Sequence, residues 1–154
     1  MREGLDNLSS RNPLSRVQSE IANMLRDNEW VKSHNVEVIE QNSQALSFLL
    51  QKSAAQINNV IVIVGVDDFE NNPPVLETTV TITATENVIM NRQRADSVTA
   101  LDVMQVAIEL IDGRDWCFQE AKHESPAQGI LQASSTFKGQ VLRTTEINSL
   151  KEGE

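Results

Sequence analysis

The stretch from Thr78 to Gly113, TTVTITATENVIMNRQRADSVTALDVMQVAIELIDG, constrains the fold more than any other part of the chain. Its first part alternates threonines with Val80, Ile82 and Ala84, the period-2 pattern of a half-buried strand. A dense polar elbow follows, with Glu86, Asn87, Asn91 and Arg92. The spacing then predicts an amphipathic helix from about Thr99 to Asp112. Its stripe is Leu101, Met104, Ile108 and Ile111, widened by Val103, Ala107 and Leu110. Thr99 and Asp102 form a capping-box-like start, with Asp in place of the usual Glu or Gln. Gly113 stands where a left-handed C-terminal cap belongs. The chain must therefore pass from a sheet into a helix through a shaped connector that contains no obvious chemistry.

The flanking sequence extends this plan. Asn12-Pro13 is a helix start, an Asn cap with proline at the first helical position. Leu14, Val17, Ile21, Met24 and Leu25 then share one face of a helix ending near Asn28. Val36, Val38 and Ile39 mark a short strand, and a second helix capped by Asn42 or Ser43 buries Leu46, Leu49, Leu50 and Ile57, with Ala54 beside them. Val60 to Val66 reads as a central strand covered on both faces. Asp67 to Pro74 reads as a loop, because Asp-Asp, Asn-Asn and Pro-Pro follow one another. A strand from about Leu76 to Thr85 comes next. After the helix, Arg114 to Gln128 reads as irregular, and two late strands, Gly129 to Phe137 and Gly139 to Ile147, form a hairpin closed near Lys138-Gly139.

The predicted order is α-β-α-β-β-α-β-β. It specifies an α+β fold, a single mixed or antiparallel sheet packed by about three helices largely on one face. Residues 1–11 are expected to be a flexible N-terminus, 12–148 one domain and 149–154 a flexible tail. A domain of this size, 154 residues in all, buries roughly 70% of its unfolded surface and needs no disulfide or metal to fold. Aromatic residues make up only 4% of the chain, so the core must be built mainly from Val, Ile, Leu, Met and Ala.

The net charge of −9 argues against a tightly bound nucleic acid, which needs clustered Lys and Arg. One cysteine, Cys117, allows no intramolecular disulfide and fits a reducing compartment. The start Met-Arg-Glu-Gly-Leu-Asp has no apolar core for a signal peptide, and the longest apolar run, Val60 to Val64, is too short to span a membrane. These features point to the cytoplasm.

Catalytic candidates are few. His34 and His123 are the two histidines, and neither sits in a nucleophile motif such as G-x-S-x-G. Cys117, between Trp116 and Phe118, reads as a small buried apolar residue, since a reactive thiol wants a basic neighbourhood. Asp67, Asp68 and Glu70 form an acidic segment that offers oxygen ligands but lacks the spacing of an EF-hand. There is no P-loop, dinucleotide fingerprint or C-x-x-C. No catalytic residue, metal or cofactor is expected.

The elbow admits two readings. In one, Glu86 to Arg92 is a capping and turn network in which side-chain amides satisfy loose backbone groups. In the other it is a subunit contact, with Arg92 as a charged anchor and Val88, Ile89 and Met90 as apolar residues that are costly on a free surface.

At this elbow the chain resembles the small tail terminator and tail-completion proteins of long-tailed bacteriophages. The resemblance lies in the alternating strand, then E-N-x-x-x-N-R, a polar linker and a helix T-A-x-D-V. The matching residues here are Glu86, Asn87, Asn91, Arg92, Thr99, Ala100, Asp102 and Val103. Residues Pro13 to Ile147 follow the family plan in order. The chain departs from it at Val88, where many relatives have proline, and in its linker, Gln93 to Val98.

The resemblance implies a structural protein that forms a hexameric ring at the head-proximal end of the tail tube. Its implied partners are copies of itself, the tail tube protein and the head-tail connector, in the bacterial cytoplasm during assembly and then in the virion tail. Ring contacts are heterologous, so one face of the subunit must complement another. Glu86 to Arg92 and the acids Asp67, Asp68 and Glu70 are the contact candidates. A small ligand-binding or regulatory α+β domain is the alternative, and an enzyme with a site between subunits comes third.

Overall fold

A computed structural model describes residues 13–40, 60–92, 98–113 and 115–142. It shows an α+β fold built on one mixed five-stranded sheet of order β1-β2-β3-β5-β4. The strands are β1 (Glu37–Glu40), β2 (Ile61–Asn72), β3 (Val75–Asn87), β4 (Trp116–Ala127) and β5 (Ile130–Leu142). β1 runs parallel to β2, and every other pairing is antiparallel. The helices are α1 (Pro13–Asp27), α2 (Glu29–Ser33), α3 (Val88–Arg92) and α4 (Ala100–Ile111).

The register sorts the side chains into two faces, because alternate residues of a strand point to opposite sides. Val62, Val64 and Val66 of β2 stand beside Ala84, Ile82 and Val80 of β3, and these beside Ala133, Ser135 and Phe137 of β5. Helices α1 and α4 pack on this side. α1 brings Val17, Ile21 and Leu25, and α4 brings Ala100, Val103, Met104, Ala107 and Ile111. Ser135 is the one hydroxyl in the middle of this layer, and its Oγ is 2.8 Å from Met104 Sδ. At the start of β2 the other face is buried too. Ile61 and Ile63 are as enclosed as Val62 and Val64, as expected of a strand covered on both sides.

The expected α1 has its predicted face and ends at Asp27. It stops because Asn28 caps the following turn, accepting the Val31 N–H on its side-chain oxygen at 3.2 Å. β1 is only four residues long and ends at Glu40, opposite Val64. The Val64 carbonyl accepts instead from Gln18 Nε2 at 2.8 Å. The outer edge of β1 is occupied as well. Arg26 donates to the Val38 carbonyl at 3.0 Å and to Glu40 at 2.9 Å. The helix after Asn42, the N-terminal segment, the tail and the cap at Asn12 lie outside the described residues.

Three segments differ from expectation. Asp67 to Asn72 is not a loop but the second half of β2, paired with β3 as far as Asn72–Val75 around a two-residue turn whose Pro73–Pro74 bond is cis. Arg114 to Gln128 is not irregular, since Trp116 to Ala127 is a full edge strand. As far as Leu142 the two late strands are one strand, β5, whose hairpin partner is β4 across Gln128–Gly129, and the rest of the second expected strand, 143–147, lies outside the described residues. Lys138-Gly139 therefore lies inside a strand rather than at a turn. Gly139 is needed there for space, because Trp116 lies flat across it. A Cβ at Gly139 would come within 2.5 Å of the indole ring.

Candidate functional site

The elbow is built around one buried carboxylate. Glu86 sits at the end of β3 on the helix-covered face, beside Leu131 of β5, and is 3% exposed. After Asn87 the chain enters the single-turn helix α3, whose first N–H, that of Val88, donates to the Gly129 carbonyl at 2.8 Å. α3 turns Asn91 back towards the sheet. There Asn91 Nδ2 donates to Glu86 Oε2 at 2.6 Å and to the Val98 carbonyl at 2.7 Å. The other oxygen, Glu86 Oε1, accepts the N–H of Ala100, the first residue of α4, at 2.9 Å.

A buried carboxylate needs such partners, since an unpaired one is strongly disfavoured. The start of a helix is a favourable place for it, because free N–H groups and the helix dipole both present positive charge there. Glu86 thus joins three pieces of chain that are remote in sequence: the end of β3, the last turn of α3 and the first residue of α4.

The capping box completes the arrangement. Thr99 Oγ1 accepts the Asp102 N–H at 3.1 Å, and Asp102 Oδ2 accepts the Thr99 N–H at 3.0 Å. The expected start of α4 is therefore present with Asp in the Glu position. Gly113 has the positive φ, 82°, of the expected cap, but it belongs to the turn into β4: its N–H donates to the Trp116 carbonyl, and α4 closes at the extended Asp112, whose N–H donates to the Ile108 carbonyl. Two buried side-chain oxygens, Asn91 Oδ1 and Thr85 Oγ1, have no partner among the described residues.

The outside of the elbow is apolar. Ile89 is 62% exposed and Leu101 is 50% exposed. The sequence placed Leu101 in the buried stripe of α4, but α4 buries Ala100, Val103, Met104, Ala107 and Ile111 instead. Val88, Leu101, Leu131, Ser125 and Gly129 line an open groove of about 480 Å³ with Glu86 and Asn91 at its floor. Ile89 lies beside Gly129, where a Cβ would meet Ile89 Cδ1 at 3.3 Å.

The reading of the elbow as a capping and turn network holds. Glu86 and Asn91 are the internal network, and Ile89 with Leu101 is the exposed surface that the network positions. Asn87 is half-buried at the end of β3. Met90 and Arg92 belong to α3, but their side chains lie outside what the structure describes.

The acids of β2 are elsewhere. Glu70 pairs directly with Glu77, nine residues before Glu86 on β3, which puts them roughly 30 Å from the elbow. Asp67 occupies a bulge between Val66 and Asp68 and accepts a hydrogen bond from Thr81. Asp68, Glu70, Glu77 and Lys138 share a shallow exposed surface. Among the described residues no group of three His, Cys, Asp or Glu is placed to hold a metal ion.

The remaining candidates are dispersed. His34 stacks on Trp30 with ring centroids 4.4 Å apart, and its Nδ1 lies 2.8 Å from the Trp30 carbonyl. Ser33 Oγ is 3.0 Å from the same nitrogen but also donates to that carbonyl, so the pair is a helix-end cluster. His123 is exposed on β4. Cys117, expected to be buried, is exposed on the same strand.

Sequence inspection missed the Glu86–Ala100 contact, which joins residues fourteen apart. It also missed that Val88, Leu101 and Leu131 line one groove. The usable signal was the acid standing just before an Asn-rich elbow that leads to a helix start. No family model matches the chain, and no curated protein matches it.

Proposed function

We propose that the chain is a structural protein of a phage or prophage tail, a tail terminator or completion protein that forms a ring at the head-proximal end of the tail tube. The observation that carries the reading is the elbow. Of the residues that make the chain resemble this family, Glu86, Asn91, Thr99, Ala100 and Asp102 meet in one hydrogen-bonded unit. That unit does no chemistry. It holds an exposed apolar pair, Ile89 and Leu101, beside a groove at one end of the sheet. A rigid turn carrying solvent-exposed isoleucine and leucine suits a heterologous contact, in which one copy's surface seats against a different surface of the next. The acidic strand end at Asp67, Asp68 and Glu70 lies far enough away to face another partner, the tube or the connector.

Light scattering on a sizing column, with and without assembled tail tubes, tests this. A ring of about six copies, or saturable capping of tube ends, supports it. Replacing Ile89 and Leu101 with aspartate should abolish either result while leaving the circular dichroism unchanged. A chain that stays monomeric and leaves tube ends uncapped at every concentration would remove the reading.

A further inference from the structure

The two outer strands of the sheet are finished differently. On β1 the outward carbonyl of Val38 is taken by Arg26. On β4 only the first residues are covered. The Trp116 carbonyl accepts from the Gly113 N–H at 3.1 Å, and the Phe118 N–H donates to Asp112 Oδ1 at 2.8 Å. From Gln119 to Pro126 every residue of β4 is exposed, and β5 is the only strand paired with it among the described residues. Bulges fall between Phe118 and Glu120 and between Glu124 and Ala127. Between them Glu120 to Glu124 is a regular stretch whose outer edge has no strand partner among the described residues. Such an edge is a template for another strand.

Its charges say which strand. Glu120, Lys122 and Glu124 alternate on one face, and none has an ion-pair partner within its own chain among the described residues. A lone edge lysine ordinarily keeps strands apart. Here it is flanked by glutamates two residues away, so an antiparallel copy of the same strand can be offset to match. Pairing centred on Lys122 would set lysine against lysine and Glu120 against Glu124. Pairing centred on His123 would bring Lys122 to Glu124, but it would also set Pro126, which has no N–H, opposite Glu120; a bulge borders the ladder in this register as in the next, so the proline decides. Pairing centred on Ala121 puts Glu120 of each copy opposite Lys122 of the other and Gln119 opposite His123.

We infer that β4 is a self-complementary edge through which two copies of this chain pair about a two-fold axis at Ala121, joining their sheets into one. The contact is isologous and distinct from the elbow, so it stands whether or not the chain forms rings.

The test uses full-length protein with Cys117→Ser, which removes the exposed native thiol. In that background Ala121→Cys should give a disulfide-linked dimer under mild oxidation, because the axis sets the two introduced thiols face to face. His123→Cys should not. Glu120→Lys or Lys122→Glu alone should weaken the dimer roughly tenfold by sedimentation, since each change turns two cross-strand attractions into repulsions. The double variant Glu120→Lys with Lys122→Glu should restore it. All five positions are exposed, and unchanged circular dichroism checks that each variant folds. Equal crosslinking at His123, or no rescue by the double variant, would overturn the register and with it the inference. A ring that persists in either case would leave the tail-protein reading intact.

Discussion

Strand β2 is two strands in character. From Ile61 to Val64 every residue is buried, and from Asp67 to Asn72 every residue is exposed. The backbone pairing with β3 continues through both halves, interrupted only by the bulge at Asp67. What changes is the cover, since the helices lie over the first half and β2 then runs past them. Strand geometry therefore needs only a partner backbone, whereas a strand's sequence pattern needs a neighbour on its face. The covered half carries β-branched apolar residues because burial rewards them. The uncovered half can carry almost anything, and here it carries acids and asparagines.

Breaking the covered end should be expensive. Phe137 is fully buried and meets Phe118 edge-on at 5.8 Å between centroids. Phe137→Ala should cost about 4 kcal/mol, read as a lowered urea midpoint. Glu86→Ala comes next. It strands the Ala100 N–H and the Asn91 amide in a buried place and should cost about 2–3 kcal/mol in the same titration. A loss below 0.5 kcal/mol would mean that the carboxylate is not what joins β3 to α4.

The uncovered end should respond weakly and in the opposite direction. Glu70 and Glu77 are like charges directly across the ladder, so Glu70→Lys should stabilise by about 0.5 kcal/mol, an effect that shrinks at high salt. Destabilisation instead would show that the acidic strand end is not merely tolerated by the fold.

The smallest effect tests the rim between the two regimes. The Ser19 hydroxyl, 2.5 Å away, and the Arg26 guanidinium hold the Glu40 carboxyl below its usual value, against the opposing effect of partial burial. A carboxyl depressed in the folded state stabilises it above the unfolded value of about 4.5 and loses that contribution as pH falls through the folded value. Glu40→Gln should therefore lower stability by about 0.3 kcal/mol at neutral pH and leave it unchanged at strongly acidic pH.

The same contrast explains what was legible. Helix α1, the capping box of α4 and the covered run of β2 were all readable, because each has an apolar period or a cap that its neighbours require. The exposed half of β2 and the edge strand β4 were not. A strand with solvent on its face loses the alternation by which strands are recognised, and Asp, Asn and Pro then resemble a loop. Gly139 misled for a different reason. Glycine inside a strand suggests a turn until the ring that occupies its missing side chain is seen, and Trp116 lies twenty-three residues earlier in sequence. Within the site, the exposed Ile89 and the start of α4 were visible. The carboxylate that ties them together was visible as part of a polar elbow, but its bond to Ala100, fourteen residues on, was not.

Arg26 has a consequence for the fate of the chain at high concentration. A sheet with two open edges can grow without limit, each copy adding to the last until a fibre forms. Here, among the described residues, the outward Val38 carbonyl of one margin is taken by a side chain from the same molecule, so a strand adding there would have to displace Arg26. A copy added at β4 would thus present a guarded edge on its far side, which handicaps further addition.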